Sequence, residues 1–561
     1  MLRRLSPDPE QAAVLGVRLD ALRRTGLILV AAVGGLGGVL AAFALMARQP
    51  MFLAGALLAF LLAPVLYMYP LFEVRSRLGR AEGELLPAAV YATIYAAAER
   101  DMAEGFFAVA READLAPSLS AMAKGVERLR VKRLIPTSYE ALGEAARLFE
   151  GSKVSDFLIT MSVARTVGLS QYIQARDLLR SVLFELKSAY ARLAENLKTL
   201  GEVILVFFGV LPLMLFITTT IFYSSGASMQ LLAYTFVGIP LFTVALAFLL
   251  DASYPKTPEK FLRWYRLYGI GAAAGAAAGF AVYMAVSPLG LPVKSLPANG
   301  LPFLRDIRAS YAAAIALGVA AAVVFGFVVP KYLAESSRRW GLISALPFFT
   351  RDLAELVKTG LSPAQAVVRL AERKTYNRHF DRLLRDVMRR IVSGATFSEA
   401  VKAAGAGAPW FARVVLHASA EAEKLGARHE IFAELADTSR ELVDILKAAR
   451  ANARGSVMFG FMTIGIIAVL MGGVVKTLVF QVADYATNVS AAGAVPMNIQ
   501  LITWSRVPEV LRYALVGAVI NSVALGVLIG KMSDGNFFAS ALYGLIASII
   551  ATASIFASLF I

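Results

Sequence analysis

The sequence predicts an all-α, polytopic membrane protein with about nine transmembrane helices and two duplicated cytoplasmic helical bundles. Three observations lead there. Of the 561 residues, 58% are hydrophobic and the mean hydropathy is +0.64, above the roughly 45–50% apolar content of an ordinary soluble domain. Apolar runs of about 20 residues, the length that crosses a bilayer, recur along the chain. Between them lie two charged blocks, 70–200 and 330–455, with helical periodicity and neither strand alternation nor Asn-Gly hairpin signals.

The N-terminal arm, MLRRLSPDPEQAAVLGVRLDALRR, carries five basic residues and is expected on the cytoplasmic side. No small-residue cleavage site follows the first apolar run, which reads as a retained anchor rather than a signal peptide. The nine windows are 25–47, 51–69, 201–223, 230–250, 266–287, 309–329, 456–482, 509–530 and 537–561. Alternation places 70–200, 251–265, 330–455 and the 531–536 turn inside, and the C-terminus outside. Of 56 Lys and Arg, only Arg48, Lys294, Arg305, Arg308 and Arg506 then fall outside, as the positive-inside rule asks. The resulting divisions are 1–69 (arm and two spans), 70–200 (first bundle), 201–329 (four spans), 330–455 (second bundle) and 456–561 (three spans).

Ionisable groups are nearly absent from the span interiors. Lys476 lies near a span end and is expected to snorkel to the interface, and Lys531 is expected at the cytoplasmic surface. A central charge would cost roughly 2.5–3.5 kcal/mol and would mark an ion or proton path; nothing here calls for one. Small residues are abundant instead. Gly271, Gly275 and Gly279 form two overlapping GxxxG steps in GAAAGAAAG, and Gly526 and Gly530 form another. These are candidates for close helix packing, within one chain or across a dimer.

The two charged blocks read as one unit present twice. In LPFFTRDLAELVKTGLSPAQAVVRLAE, Leu346, Phe349, Leu353, Leu356 and Val357 line one helix face. Gly360 suits the position after that helix. Ser362 with Gln365, and Pro363 between them, predicts a capping box that opens the next helix. Subtracting 260 pairs Leu346-Pro347 with Leu86-Pro87 and Glu372 with Glu112. Thr396–Glu399 pairs with Thr137–Glu140 at 259, and Gly426 with Gly168 at 258. An offset that drifts so little implies a duplicated segment. Two spans precede each block and at least two follow it, so the repeat is parallel.

No catalytic set is evident. There is no cysteine, and His379, His417 and His429 lack the i, i+4 spacing of a helical metal site. GVLIGKMSD is one residue short of a phosphate loop and has Met532 where Ser or Thr is needed. No metal and no cofactor is expected, and the chain is read as a non-enzyme. Glu112 and Glu372 are expected on charged helix faces. The best interaction candidate is a basic stripe, Arg378, Arg382, Arg385 and Arg389, spaced to share a helix face, with Arg390 beside it. The first block offers Arg128, Arg130, Lys132 and Arg133 at the comparable place. Block 330–455 holds 21 basic and 14 acidic residues, block 70–200 holds 18 and 16, so the second has the stronger positive field. Such a patch would steer an acidic partner; the same residues also suit anionic lipid headgroups or a solvated face that enforces topology.

LPFFTRDLAELVKTGLSPAQAVVRLAE resembles the start of the type II secretion F domain, and LLRDVMRRIVSGATFSEAVKAAG and AEAEKLGARHEIFAELADTSREL resemble its later segments. The first copy departs from the pattern, with Asp101-Met102-Ala103 in place of the Gly-Leu-Ser turn. GKMSDGNFFASALYG, 530–544, resembles the ending of archaeal members. The resemblance implies a platform protein of the archaeal type IV pilus or archaellum, seated in the cell membrane. Its implied partners are a hexameric cytoplasmic secretion ATPase below, whose hydrolysis would move the blocks, pilin subunits that the spans hand to the filament, membrane lipid, and a second copy in a homodimer. No nucleic acid is implied. A solute transporter with cytoplasmic regulatory domains is the alternative; the nearly charge-free spans and the two large helical blocks speak against it.

Overall fold

The computed structural model describes residues 8–47, 69–164, 170–221, 227–259, 262–288, 291–293, 296–426, 428–470, 475–491 and 501–560. Every regular element among them is a helix. They divide into two compact units. One comprises Met1–Leu186, Lys256–Glu259 and Arg339–Val443; the other comprises Lys187–Pro255, Lys260–Arg338 and Asp444–Ile561.

The first unit holds most of both charged blocks. Its first copy runs through Leu85–Ala97, Met102–Val109, Pro117–Lys132, Ser138–Leu148, Lys153–Val163 and the start of Gln171–Ile204. The second runs through the end of Leu304–Lys358, then Pro363–Arg373, Arg378–Val392, Phe397–Gly405, Trp410–Lys424 and the start of His429–Val469. Helix starts at 102, 117, 138, 153 and 171 recur at 363, 378, 397, 410 and 429, offsets of 261, 261, 259, 257 and 258. The bundle is duplicated helix by helix.

Local chemistry explains the breaks. Ser362 accepts from the Gln365 N–H, and the Gln365 side chain accepts from the Ser362 N–H, both at 3.2 Å. Thr396 and Glu399 form the same reciprocal box. In the first copy Thr137 supplies its half, accepting from the Glu140 N–H at 3.2 Å. Asp101 accepts from the Ala103 N–H at 3.0 Å and so caps the helix that Ser362 caps in the other copy. Gly360 and Gly394 end helices at φ +94° and +93°. Their counterparts are Glu99 and Leu134, at φ +59° and +53°. The backbone bonding is the same in both copies: Leu134 N–H donates to Val131 O and Ile135 N–H to Arg130 O, as Gly394 does to Ile391 O and Ala395 to Arg390 O. The first copy holds the left-handed turn without glycine, at a cost of roughly 1–2 kcal/mol for each L-residue there.

The two copies are buried unequally. Leu85–Ala97, LLPAAVYATIYAA, is apolar all round and buried from Leu85 to Ala96, as an all-apolar helix must be. Trp410–Lys424 of the second copy packs against it. Its own counterpart is amphipathic, with Arg351 and Glu355 exposed. Pro117–Lys132 opens on Ala116, which has no capping side chain. Glu84 takes that role from another helix, accepting from the Ser118 and Leu119 N–H groups at 2.7 and 2.9 Å. Burial raises the Glu84 pKa against those bonds.

Among the described residues, six helices are long and apolar enough to cross a membrane: Gln171–Ile221, Gln230–Ser253, Tyr265–Val286, Asn299–Lys358, Val507–Asp534 and Phe537–Ser558; the first part of Gln171–Ile221 and the last part of Asn299–Lys358 belong to the first unit. They cover six of the nine expected windows. Window 25–47 lies in the helix Leu19–Ala47, and 51–69 falls almost wholly outside the described residues. Window 456–482 runs from His429–Val469 to Val475–Ala491 across undescribed residues. The chain is a multi-pass membrane protein. Val507–Asp534 is the most buried of the six helices, and it packs against Phe537–Ser558 and Ile239–Ser253.

Two expectations about lysines are corrected. Lys476 does not snorkel: it is buried, and its Nζ donates to Ser558 O at 3.2 Å. That bond satisfies one of the carbonyls left open at the end of the last helix. Lys531 is also buried rather than at the surface, with Nζ 2.6 Å from Asp251 Oδ1 and 4.2 Å from the Phe537 ring centre. A charge this enclosed persists because it is paired.

Candidate functional site

The basic stripe sits on the helix Arg378–Val392. Asn377 begins it, its Oδ1 accepting from the His379 and Phe380 N–H groups at 3.1 and 3.0 Å. Phe380, Leu384 and Val387 are buried on one face, and Phe349 (tilted) and Tyr376 (edge-to-face) pack on Phe380 with ring centres 5.1 and 5.6 Å away. That anchoring turns Arg378, Arg382, Arg385, Arg389 and Arg390 outward, and all five are exposed. Asp386 pairs with Arg390 at 3.2 Å and with Arg389 at 3.8 Å. Among the described residues, no carboxylate forms an ion pair with Arg378, Arg382 or Arg385. The face therefore presents planar cations in a row, suited to bidentate recognition of carboxylate or phosphate.

The first-copy cluster is arranged differently. Arg130 pairs with Glu127 at 2.6 Å, and Arg133 with Glu10 at 2.7 Å and Glu144 at 3.0 Å. Arg128 donates to its own helix, at Lys124 O; Lys132 is exposed. Two of the four cations are thus neutralised within the unit. Glu10 lies 123 residues from Arg133, and no local signal in the sequence joins them.

Glu112 is not on a solvated face. It lies between the two copies, its carboxylate paired with Lys402 and, through Oε2 at 3.2 Å, with His417 Nδ1. The His417 bond, helped by Lys402 and opposed by burial, holds the Glu112 carboxyl down at about 2. Its repeat counterpart Glu372 is exposed. Around Glu112 the copies are further joined by Tyr95, whose hydroxyl donates to Glu421 at 2.9 Å, by Trp410 Nε1 donating to Leu115 O at 2.7 Å, and by Arg176 with Glu434 at 3.1 Å. Burial and Glu421 push the Tyr95 hydroxyl up to about 12, so it remains a donor. The arrangement is a polar seam that fixes one copy on the other.

The candidate glycines lie on helix contacts within the second unit. A Cβ on Gly271, Gly275 or Gly279 would come within 2.8, 2.6 and 2.8 Å of Val324 O, Ala320 O and Ala320 Cβ. One on Gly526 or Gly530 would reach Gly544 Cα at 2.6 Å or Ser540 Cα at 2.4 Å. Each GxxxG step is a place where two helices of the same chain approach at backbone distance.

Residues 349–475 match the family model of the type II secretion system protein F. The chain carries a type II secretion F domain. The matched region contains the Ser362 and Thr396 capping boxes, the arginine stripe and the Trp410–Lys424 helix that packs on the first copy. No curated protein and no solved structure matches the chain significantly. The F domain points to the membrane platform proteins of secretion and type IV pilus assembly.

Proposed function

We propose that the chain is the membrane platform of an archaeal type IV filament, a pilus or an archaellum, and that its F-domain unit lies in the cytoplasm and docks a hexameric secretion ATPase. The F-domain match at 349–475 carries this reading. The exposed row Arg378, Arg382, Arg385, Arg389 and Arg390 supports the docking face: it offers an acidic partner three cations with no ion pair among the described residues, Arg378, Arg382 and Arg385, beside two that share Asp386. The first-copy residues Arg128 and Lys132 would add a lesser contact, while Arg130 and Arg133 serve the fold. Nucleotide hydrolysis by the partner would move the F-domain unit, and the spans would pass that motion to pilin subunits in the bilayer. In a homodimer four F-domain copies would face the ATPase.

The test is charge reversal. Replacing Arg378, Arg382, Arg385 and Arg389 by Glu should abolish co-purification of the ATPase and abolish filaments while the protein remains in the membrane. Retention of both binding and filaments would remove the stripe from the docking face.

A further inference from the structure

The two helical copies meet through unlike faces. The first contributes Leu85–Ala97 and the second contributes Trp410–Lys424. Each copy also possesses the face that its sibling uses. The counterpart of Trp410–Lys424 is Lys153–Val163, and the counterpart of Leu85–Ala97 is the end of Leu304–Lys358. Both of these second faces are open to solvent.

On Lys153–Val163, Thr160 is exposed between Ile159, at 47%, and Val163, at 42%. At the offset of 257 that separates the starts of the two helices, these three positions hold Leu416, His417 and Ala420, all buried. His417 is the residue that meets Glu112 across the seam. On the end of Leu304–Lys358, Phe348 is 64% exposed, with Arg351 and Glu355 exposed on the same stripe. At the offset of 260 these positions hold Ala88, Tyr91 and Tyr95, all buried, and Tyr95 bonds Glu421 of the opposite copy. A lone exposed Ile or Phe is ordinary. Here both open faces lie where the repeat has an interface elsewhere in the same chain. The polar positions are complementary as well. Arg413 donates to Asp114 O across the seam at 3.1 Å. The counterparts of these two residues are Asp156 and Lys374, both exposed and of opposite charge.

We infer that in a homodimer Ile159, Thr160 and Val163 of each chain pack against Phe348 of the other chain, with Asp156 facing Lys374. This rests on the homodimer in the function proposed above. The occupant of each open face is the other open face on a second copy, because that pairing repeats the contact already made within one chain. The contact joins unlike surfaces and is heterologous; made twice about a two-fold axis, it closes the four helical copies of two chains into a ring.

The chain has no cysteine, so introduced thiols report without background. Ile159→Cys and Phe348→Cys, carried on separate full-length chains with different tags, are co-expressed and oxidised in membranes. A disulfide-linked dimer bearing both tags should form, and neither variant expressed alone should link to itself. Leu134→Cys with Phe348→Cys, also at exposed positions, should give no link. Adding Val163→Arg to the Ile159→Cys chain places a charge in the apolar contact and should lower the mixed yield about tenfold. Self-linking equal to the mixed link, a mixed yield no higher than the Leu134→Cys control, or a yield indifferent to Val163→Arg would each overturn the inference. No ATPase takes part in the assay, so a mixed link upholds this interface even where reversal of the arginine stripe leaves filaments intact.

Discussion

Replacing Glu112 by Gln tests the seam between the two duplicated helical copies quantitatively. The Glu112 carboxyl falls from 4.5 to about 2 on folding, and each unit corresponds to 1.36 kcal/mol. A carboxylate whose folded pKa is lowered contributes stability that is complete above its unfolded value and is lost as pH falls through the folded one. The ionised form is therefore worth about 3 kcal/mol at pH 6 and about 1.5 kcal/mol at pH 3. Gln has the shape of the protonated form and should forfeit these amounts. The assay is amide hydrogen exchange in Leu85–Ala97 and Trp410–Lys424, the helices that meet at the seam, corrected for the intrinsic rate at each pH. Glu112→Gln should lower protection about 100-fold at pH 6 and about tenfold at pH 3, if opening of the seam limits exchange. A penalty that is the same at both pH values would refute the assignment of this stability to the Glu112 charge.

Three further outcomes are expected. Leu134→Gly should stabilise the first unit by about 0.5–1 kcal/mol in thermal unfolding: the residue is left-handed and 89% exposed, so relief of strain outweighs the extra freedom glycine gives the unfolded chain. Ser362→Ala should destabilise by about 1 kcal/mol through loss of the capping box, with exchange rising first at the start of Pro363–Arg373. Gly275→Ala should cost about 1–3 kcal/mol by forcing apart helices that meet at backbone distance, read as a lowered melting temperature in detergent.

What the sequence disclosed was mostly local or periodic. Ser362 with Gln365, and Thr396 with Glu399, act within one turn, so their spacing alone foretells a helix start. The GxxxG steps foretell close approach because only a missing side chain permits it. The duplication was visible because an ordered series of weak matches is stronger than any one of them. What escaped was set by residues far apart in the chain. Glu112 meets His417 across 305 positions, and Arg133 meets Glu10 across 123. Glu99 and Leu134 hold left-handed turns without the glycine that announces one. Lys476 and Lys531 looked like interfacial cations because their partners, Ser558 O and Asp251, lie on other helices.

The proposed docking surface is the arginine face of Arg378–Val392. A photo-crosslinking amino acid at Arg385, activated in cells that assemble filaments, tests it most directly. A discrete adduct with a secretion ATPase, weakening as ionic strength rises, is expected. Adducts with lipid headgroups alone would contradict it and leave the stripe as a membrane-facing surface.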